Sequence, residues 1–124
     1  MQFSETQAIY LQIADYVCER VLLREWQVEA RIPSVRELAV QLEVNPNTVM
    51  RTYEFLQQKE IIHNQRGIGF FVSAQAMKQA KQYRLEAFMD KDLPQVFRSM
   101  YLLGMSPDDL AKPFERFKKQ YFTR

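Results

Sequence analysis

The chain has one cysteine, one histidine and three glycines in 124 residues, and each scarcity closes off a class of chemistry. Cys18 has no partner for an intrachain disulfide, and Cys18 with His63 is too small a set of soft ligands for a zinc site. No run approaches the eighteen or so apolar residues a membrane helix needs. The opening Met1-Gln2-Phe3-Ser4-Glu5 lacks the basic and apolar regions of a signal peptide, so a cytoplasmic protein is expected. There is no Ser/His/Asp or Cys/His grouping, no phosphate loop and no metal-ligand cluster, and the Asp108-Asp109 pair is accounted for by a helix start. The expectation is a protein that is not an enzyme and uses no cofactor or metal. Few glycines and prolines beside 47% hydrophobic residues exclude a disordered chain and suit a helix-rich domain with a core.

Positive charge is also scarce where a nucleic-acid binder would want it. Residues 1–73 hold 7 Lys+Arg against 9 Asp+Glu, a net −2, whereas residues 74–124 hold 10 against 6, a net +4. The first part therefore cannot rely on bulk positive charge for non-specific binding. A few placed groups, Arg36, Arg51 and Arg66, remain available to a specific reader.

What is present is helical periodicity with well-formed starts. Ile9, Ile13, Val17 and Val21, flanked by Ala14, Cys18 and Leu22, make the buried stripe of a helix over about 6–23. Residues 24–33 read as a loop or short extended piece. Ser34-Val35-Arg36-Glu37 has capping-box spacing ahead of Leu38, Ala39 and Leu42. After the brief turn Glu43-Val44-Asn45, a further helix over about 46–59 takes Asn45 as N-cap and Pro46 at its first position.

Two helices joined by so short a turn form a helix-turn-helix unit. Asn47, Thr48 and Arg51 share one face of its second helix, with Val49 and Leu56 on the core side. Tyr53 is expected beneath that helix, its hydroxyl free to reach a phosphate. Ile61-Ile62-His63, Gln65 to Gly69, and Phe70-Phe71-Val72 then read as strand, glycine-bearing turn and strand, a wing over about 61–72. His63 is expected as an ordinary strand residue and Cys18 as a small buried hydrophobe. The fold class is mainly α with a small β-hairpin: a winged helix-turn-helix over 1–73 and a helical tail over 74–124.

In this order, residues 8–72 resemble the DNA-binding domain of GntR-family bacterial transcription regulators. The likeness lies in Ile9-Tyr10-Leu11-Gln12-Ile13-Ala14, Ile32-Pro33-Ser34-Val35-Arg36-Glu37-Leu38-Ala39, Asn47-Thr48-Val49 and Arg66-Gly67-Ile68-Gly69-Phe70-Phe71-Val72. The Asn-Pro-Asn-Thr-Val form and the short helical tail are similar to the YtrA-like branch. The resemblance implies that Ser34 and Arg36 contact phosphate or base, that Asn45, Asn47, Thr48 and Arg51 face the major groove, and that Arg66, Gly67 and Gly69 form a wing tip. Pro46 and Met50 stand where many members carry a basic or DNA-contacting residue, Glu60 where a glycine commonly ends the helix, and Phe70 for a frequent threonine. These departures bear on which operator is read.

In the tail, Phe88, Leu93, Phe97, Met100, Leu103, Leu110, Phe114 and Phe117 are too many apolar residues for about fifty residues to bury alone. Gly104 fits a helix stop, Ser106-Pro107-Asp108-Asp109 a helix start, and Pro113 is expected to kink or divide the last helix. Either the tail folds back onto the first helix or it pairs with a second chain, and the second chain is the preferred reading because it also places two reading helices on a palindromic site. The reading is a homodimeric operator-binding regulator acting as a repressor on double-stranded DNA, with any effector small, interfacial or absent. The alternative is a winged-helix protein-interaction module without sequence preference.

Overall fold

A computed structural model describes residues 1–4 and 6–122. The described residues form two compact units, Met1–Glu86 and, from Ala87 onward, a helical unit. In the first, α1 (Ile9–Leu22) is followed by α2 (Val35–Leu42) and α3 (Pro46–Gln58). The antiparallel hairpin of β1 (Ile62–Gln65) and β2 (Gly69–Val72) and then α4 (Ala76–Ala87) complete it.

Apolar residues at helical spacing bring the three leading helices together. Ile13, Val17 and Val21 of α1, Leu38 and Leu42 of α2, and Val49, Tyr53 and Leu56 of α3 lie in one buried cluster with Ile61, Ile62 and Val72 of the wing. Ile9, expected on the same stripe, is 45% exposed because it sits in the first turn of α1, beyond the edge of the cluster. Cys18 is fully buried, and burial, followed by the Asp15 charge, pushes its thiol up to about 12. It is the small core residue expected.

The stretch after α1 ends in the short extended piece, one of the two forms expected of it. The Ile32 N–H donates to the Phe70 carbonyl at 2.9 Å, the Val72 N–H to Ala30 at 3.0 Å and the Glu29 N–H to Val72 at 2.9 Å. Residues 29–32 thus run along the free edge of β2 and cover backbone groups that an exposed hairpin would leave open.

The expected boundary at residue 73 falls inside this unit. Ala76 and Ala80 of α4 are fully buried in the cluster, and Arg84 pairs with Asp15 of α1 at 3.0 Å. Helical spacing alone could not assign α4 to either neighbour; two alanines at i and i+4, small enough for close packing, make the contact.

The second unit holds a π-helical turn (Phe88–Asp92), α5 (Leu93–Leu103), a 3₁₀ turn (Pro107–Leu110) and α6 (Ala111–Phe122). Pro94 lacks an N–H and its ring crowds the carbonyl four residues back, which fits a widened turn immediately before it. Gly104 ends α5 in the left-handed region at φ 68°, with the Met105 N–H bonded to the Met100 carbonyl at 2.9 Å. The helical stretch that starts at Pro107 is divided at Ala111, where the 3₁₀ turn gives way to α6, and Pro113 lies just after that change. It is that helix's third residue, within the first turn, where a missing N–H costs nothing.

Candidate nucleic-acid interface

The turn between α2 and α3 is built from caps at both helix starts. Ser34 Oγ accepts from the Glu37 N–H at 3.1 Å, and the Ser34 N–H donates to Glu37 Oε1 at 2.9 Å. Donation from the Ser34 backbone N–H first, and from the Ser34 side chain second, holds the Glu37 carboxyl below its ordinary range. Glu43 closes α2 in the left-handed region at φ 56°. Asn45 Oδ1 then accepts from the Asn47 N–H at 2.8 Å, with Pro46 opening α3. Ser34 and Asn45 therefore work first as caps, leaving the Asn45 amide donors for an outside acceptor.

Along α3, Val49, Thr52, Tyr53 and Leu56 are buried, whereas Asn47 and Arg51 are exposed and Thr48 is half-buried. Thr52 Oγ1 donates to the Tyr10 carbonyl at 2.8 Å and to the Thr48 carbonyl at 3.1 Å, fastening the middle of α3 to α1. The Tyr53 hydroxyl does not reach outward. It donates to the Pro33 carbonyl at 2.6 Å, which fixes the start of α2 against α3; burial first, then the charges of Glu37 and Tyr16, raises its pKa well above the ordinary value.

Arg51 lies over the Tyr10 ring, its guanidinium carbon 3.8 Å from the centroid. Among the described residues it has no ion pair or hydrogen-bonded acceptor, and Arg36, exposed on α2, has none either. Neither Glu37 nor Glu43 pairs with Arg36.

At the wing tip, Arg66 and Gly67 are exposed; Gly67 has φ 79° and open space around it. Gly69 has a different reason to lack a side chain. A Cβ there would meet Arg31 Nε at 2.9 Å, so the Arg31 side chain crosses the base of the wing on the glycine's open surface. No local sequence signal assigns a role to Arg31 or Tyr10; tertiary packing alone brings Arg31 to the wing and Tyr10 beneath Arg51.

Glu60, the departure from a common glycine, adopts φ 60° just after α3, the left-handed conformation that glycine favours. Its carboxylate accepts from Gln79 Nε2 at 3.2 Å. His63 stacks on Phe71 with centroids 5.8 Å apart and lies 3.7 Å from a Glu29 carboxylate oxygen. Among the described residues no group of three or more His, Cys, Asp or Glu could hold a metal ion, and no helix is long and apolar enough to cross a membrane.

Of the apolar tail residues singled out from sequence, Met100 is buried at 7% and Leu93 is half-buried, whereas Phe88, Phe97, Leu103, Leu110, Phe114 and Phe117 are exposed. No residue of α6 is buried.

A capped helix pair with a short turn, a polar outer face on the second helix and a hairpin directly after it define a winged helix-turn-helix protein. The family model "Bacterial regulatory proteins, gntR family" matches residues 9–72, and the chain belongs to that family. It is 43% identical over 75 residues to the HTH-type transcriptional regulator YhcF of Bacillus subtilis, covering 60% of this chain. Against the HTH-type transcriptional repressor YtrA of the same organism it is 40% identical over 68 residues, covering 55% of this chain. The matched stretches span 62% and 52% of those two relatives. A solved GntR-family regulator from Bacteroides thetaiotaomicron superposes with a TM-score of 0.70 at 47% identity, covering 91% of this chain and 98% of that one.

Proposed function

We propose that the chain is a sequence-specific transcription regulator that binds a palindromic operator as a homodimer and represses by occupying the promoter. The observation that carries this reading is the outer face of α3. Arg51 presents a guanidinium with no acceptor among the described residues, beside exposed Asn47 and the Thr48 hydroxyl, on a helix whose opposite face is locked into the core. A buried scaffold with unclaimed donors on its far side suits base edges in a major groove, where arginine pairs with guanine through two hydrogen bonds. Arg36 and Ser34 at the start of α2, and Arg66 with Gly67 and Gly69 in the wing, supply phosphate contacts that position the helix.

Homodimerisation follows from the second unit, whose exposed Phe97, Leu103, Phe114 and Phe117 want a complementary apolar surface. A second copy supplies one, and a twofold assembly matches a twofold operator. The name of the YtrA relative supports repression.

The test is selection of binding sites from a random duplex pool, with wild type beside Arg51→Ala, then titration at several salt concentrations. An enriched inverted repeat, with Arg51→Ala losing about 1–3 kcal/mol at one position of each half-site, supports direct readout by a dimer. No enrichment, with affinity abolished by modest salt, would favour a protein-interaction module instead.

A further inference from the structure

Tyr10 stands on α1, outside the helix-turn-helix, yet its ring is the surface on which the Arg51 guanidinium rests. Two other contacts from α3 fix that ring. Buried Thr52 donates to the Tyr10 carbonyl at 2.8 Å. Phe55, one turn beyond Arg51, meets the Tyr10 ring at 79° with centroids 6.2 Å apart. Phe55 is backed in turn by Tyr83 of α4, at 5.3 Å and 68°. The ring is therefore held through its own backbone and by an aromatic neighbour that is itself supported.

A guanidinium stacked by its face keeps its N–H donors in the plane and free for a bidentate partner. Arg51 has no hydrogen-bonded acceptor among the described residues, so stacking constrains the side chain without consuming its donors. An unrestrained arginine would lose that rotamer freedom only on binding, at a cost to affinity.

We propose that Tyr10 is a specificity-determining positioning residue. It orients the Arg51 fork before DNA arrives, so discrimination at one base pair depends on an α1 side chain that acts through Arg51. This rests on the direct readout proposed above, and the test separates the two.

The full chain and its variants are titrated against the duplex that the wild type enriches from a random pool, and against duplexes changed one base pair at a time. Arg51→Ala is expected to flatten the preference at one position of each half-site. Tyr10→Leu is expected to lower that same preference by about three- to tenfold, the size of a partly exposed cation–π contact, and to spare the other positions. Tyr10→Phe keeps the ring and should stay within about twofold of wild type. Tyr10→Leu added to Arg51→Ala should change nothing further.

Tyr10→Leu leaving the preference intact while Arg51→Ala removes it overturns the proposal alone. So does an equal loss at every position with or without Arg51, which would make Tyr10 a folding residue. A Tyr10→Phe loss matching that of Tyr10→Leu would assign the role to the hydroxyl and overturn it as well. If Arg51→Ala changes no position, direct readout fails and the proposal fails with it.

Discussion

Helices α3 and α6 both carry apolar residues at helical spacing, and only α3 buries them. Val49, Tyr53 and Leu56 are fully buried, whereas Phe114 and Phe117 are 59% and 54% exposed. The contrast extends to the two units. The first closes a core from α1–α4 and the wing, and satisfies its buried tyrosine and threonine hydroxyls with backbone carbonyls. The second buries Met100 and little else. One unit has the makings of independent stability and the other has the surface of an unfinished core. Burying six such side chains against a second chain is worth on the order of 10 kcal/mol before the entropy of association is subtracted.

The largest effects should come from separating the units. Residues 1–86 alone should unfold cooperatively and sediment as a monomer, with operator affinity about a hundredfold or more below that of the intact chain once avidity is lost. Cutting after residue 73 should instead destabilise the domain, because Ala76, Ala80 and Arg84 go with the tail; circular dichroism melts of the two pieces distinguish these outcomes.

Within the first unit, Tyr53→Phe should lower stability by about 1–3 kcal/mol in urea titration, because the Pro33 carbonyl loses its donor. Phe114→Ala in the second unit should leave the same unfolding transition nearly unmoved and should weaken self-association.

Glu60→Gly should stabilise the first unit by up to about 1 kcal/mol, since glycine adopts φ 60° without the steric cost that a Cβ carries. Loss of the bond to Gln79 offsets part of the gain.

Near neutral pH the smallest effects concern titration. Native Cys18 should resist thiol reagents at neutral pH and react after unfolding. Its native pKa of about 12 lies above the ordinary 9.0, so the unfolded state releases the proton first as pH rises. The stability linked to Cys18 is therefore complete below about pH 9 and is lost progressively above it. Glu37 has the opposite sign: its carboxyl is held low, so the cap's contribution is present above the ordinary carboxylate range and fades as pH falls through it.

The helix-turn-helix was legible in sequence because its signals are local. Ser34 with Glu37, Asn45 with Pro46, and the glycines of the wing each set backbone geometry within a few residues. Non-local features were not legible. The strand-like pairing of residues 29–32 with β2, the seating of Arg31 on Gly69, and the stacking of Arg51 on Tyr10 depend on chain segments far apart in sequence. The assignment of α4 turned on whether two alanines meet a core, and alanine spacing is silent on that. Pro113 shows how far a local rule reaches: the division expected at the proline falls two residues before it, where the 3₁₀ turn gives way to α6.

The central claim is that the first unit reads DNA and the second unit pairs two readers. The most direct measurement is selection from one random duplex pool run in parallel with the full chain and with residues 1–86. The full chain should enrich an inverted repeat and the shorter piece, more weakly, a single half-site of the same sequence. The same single half-site enriched by both would contradict the pairing role, and no enrichment by either would contradict the reading of the first unit.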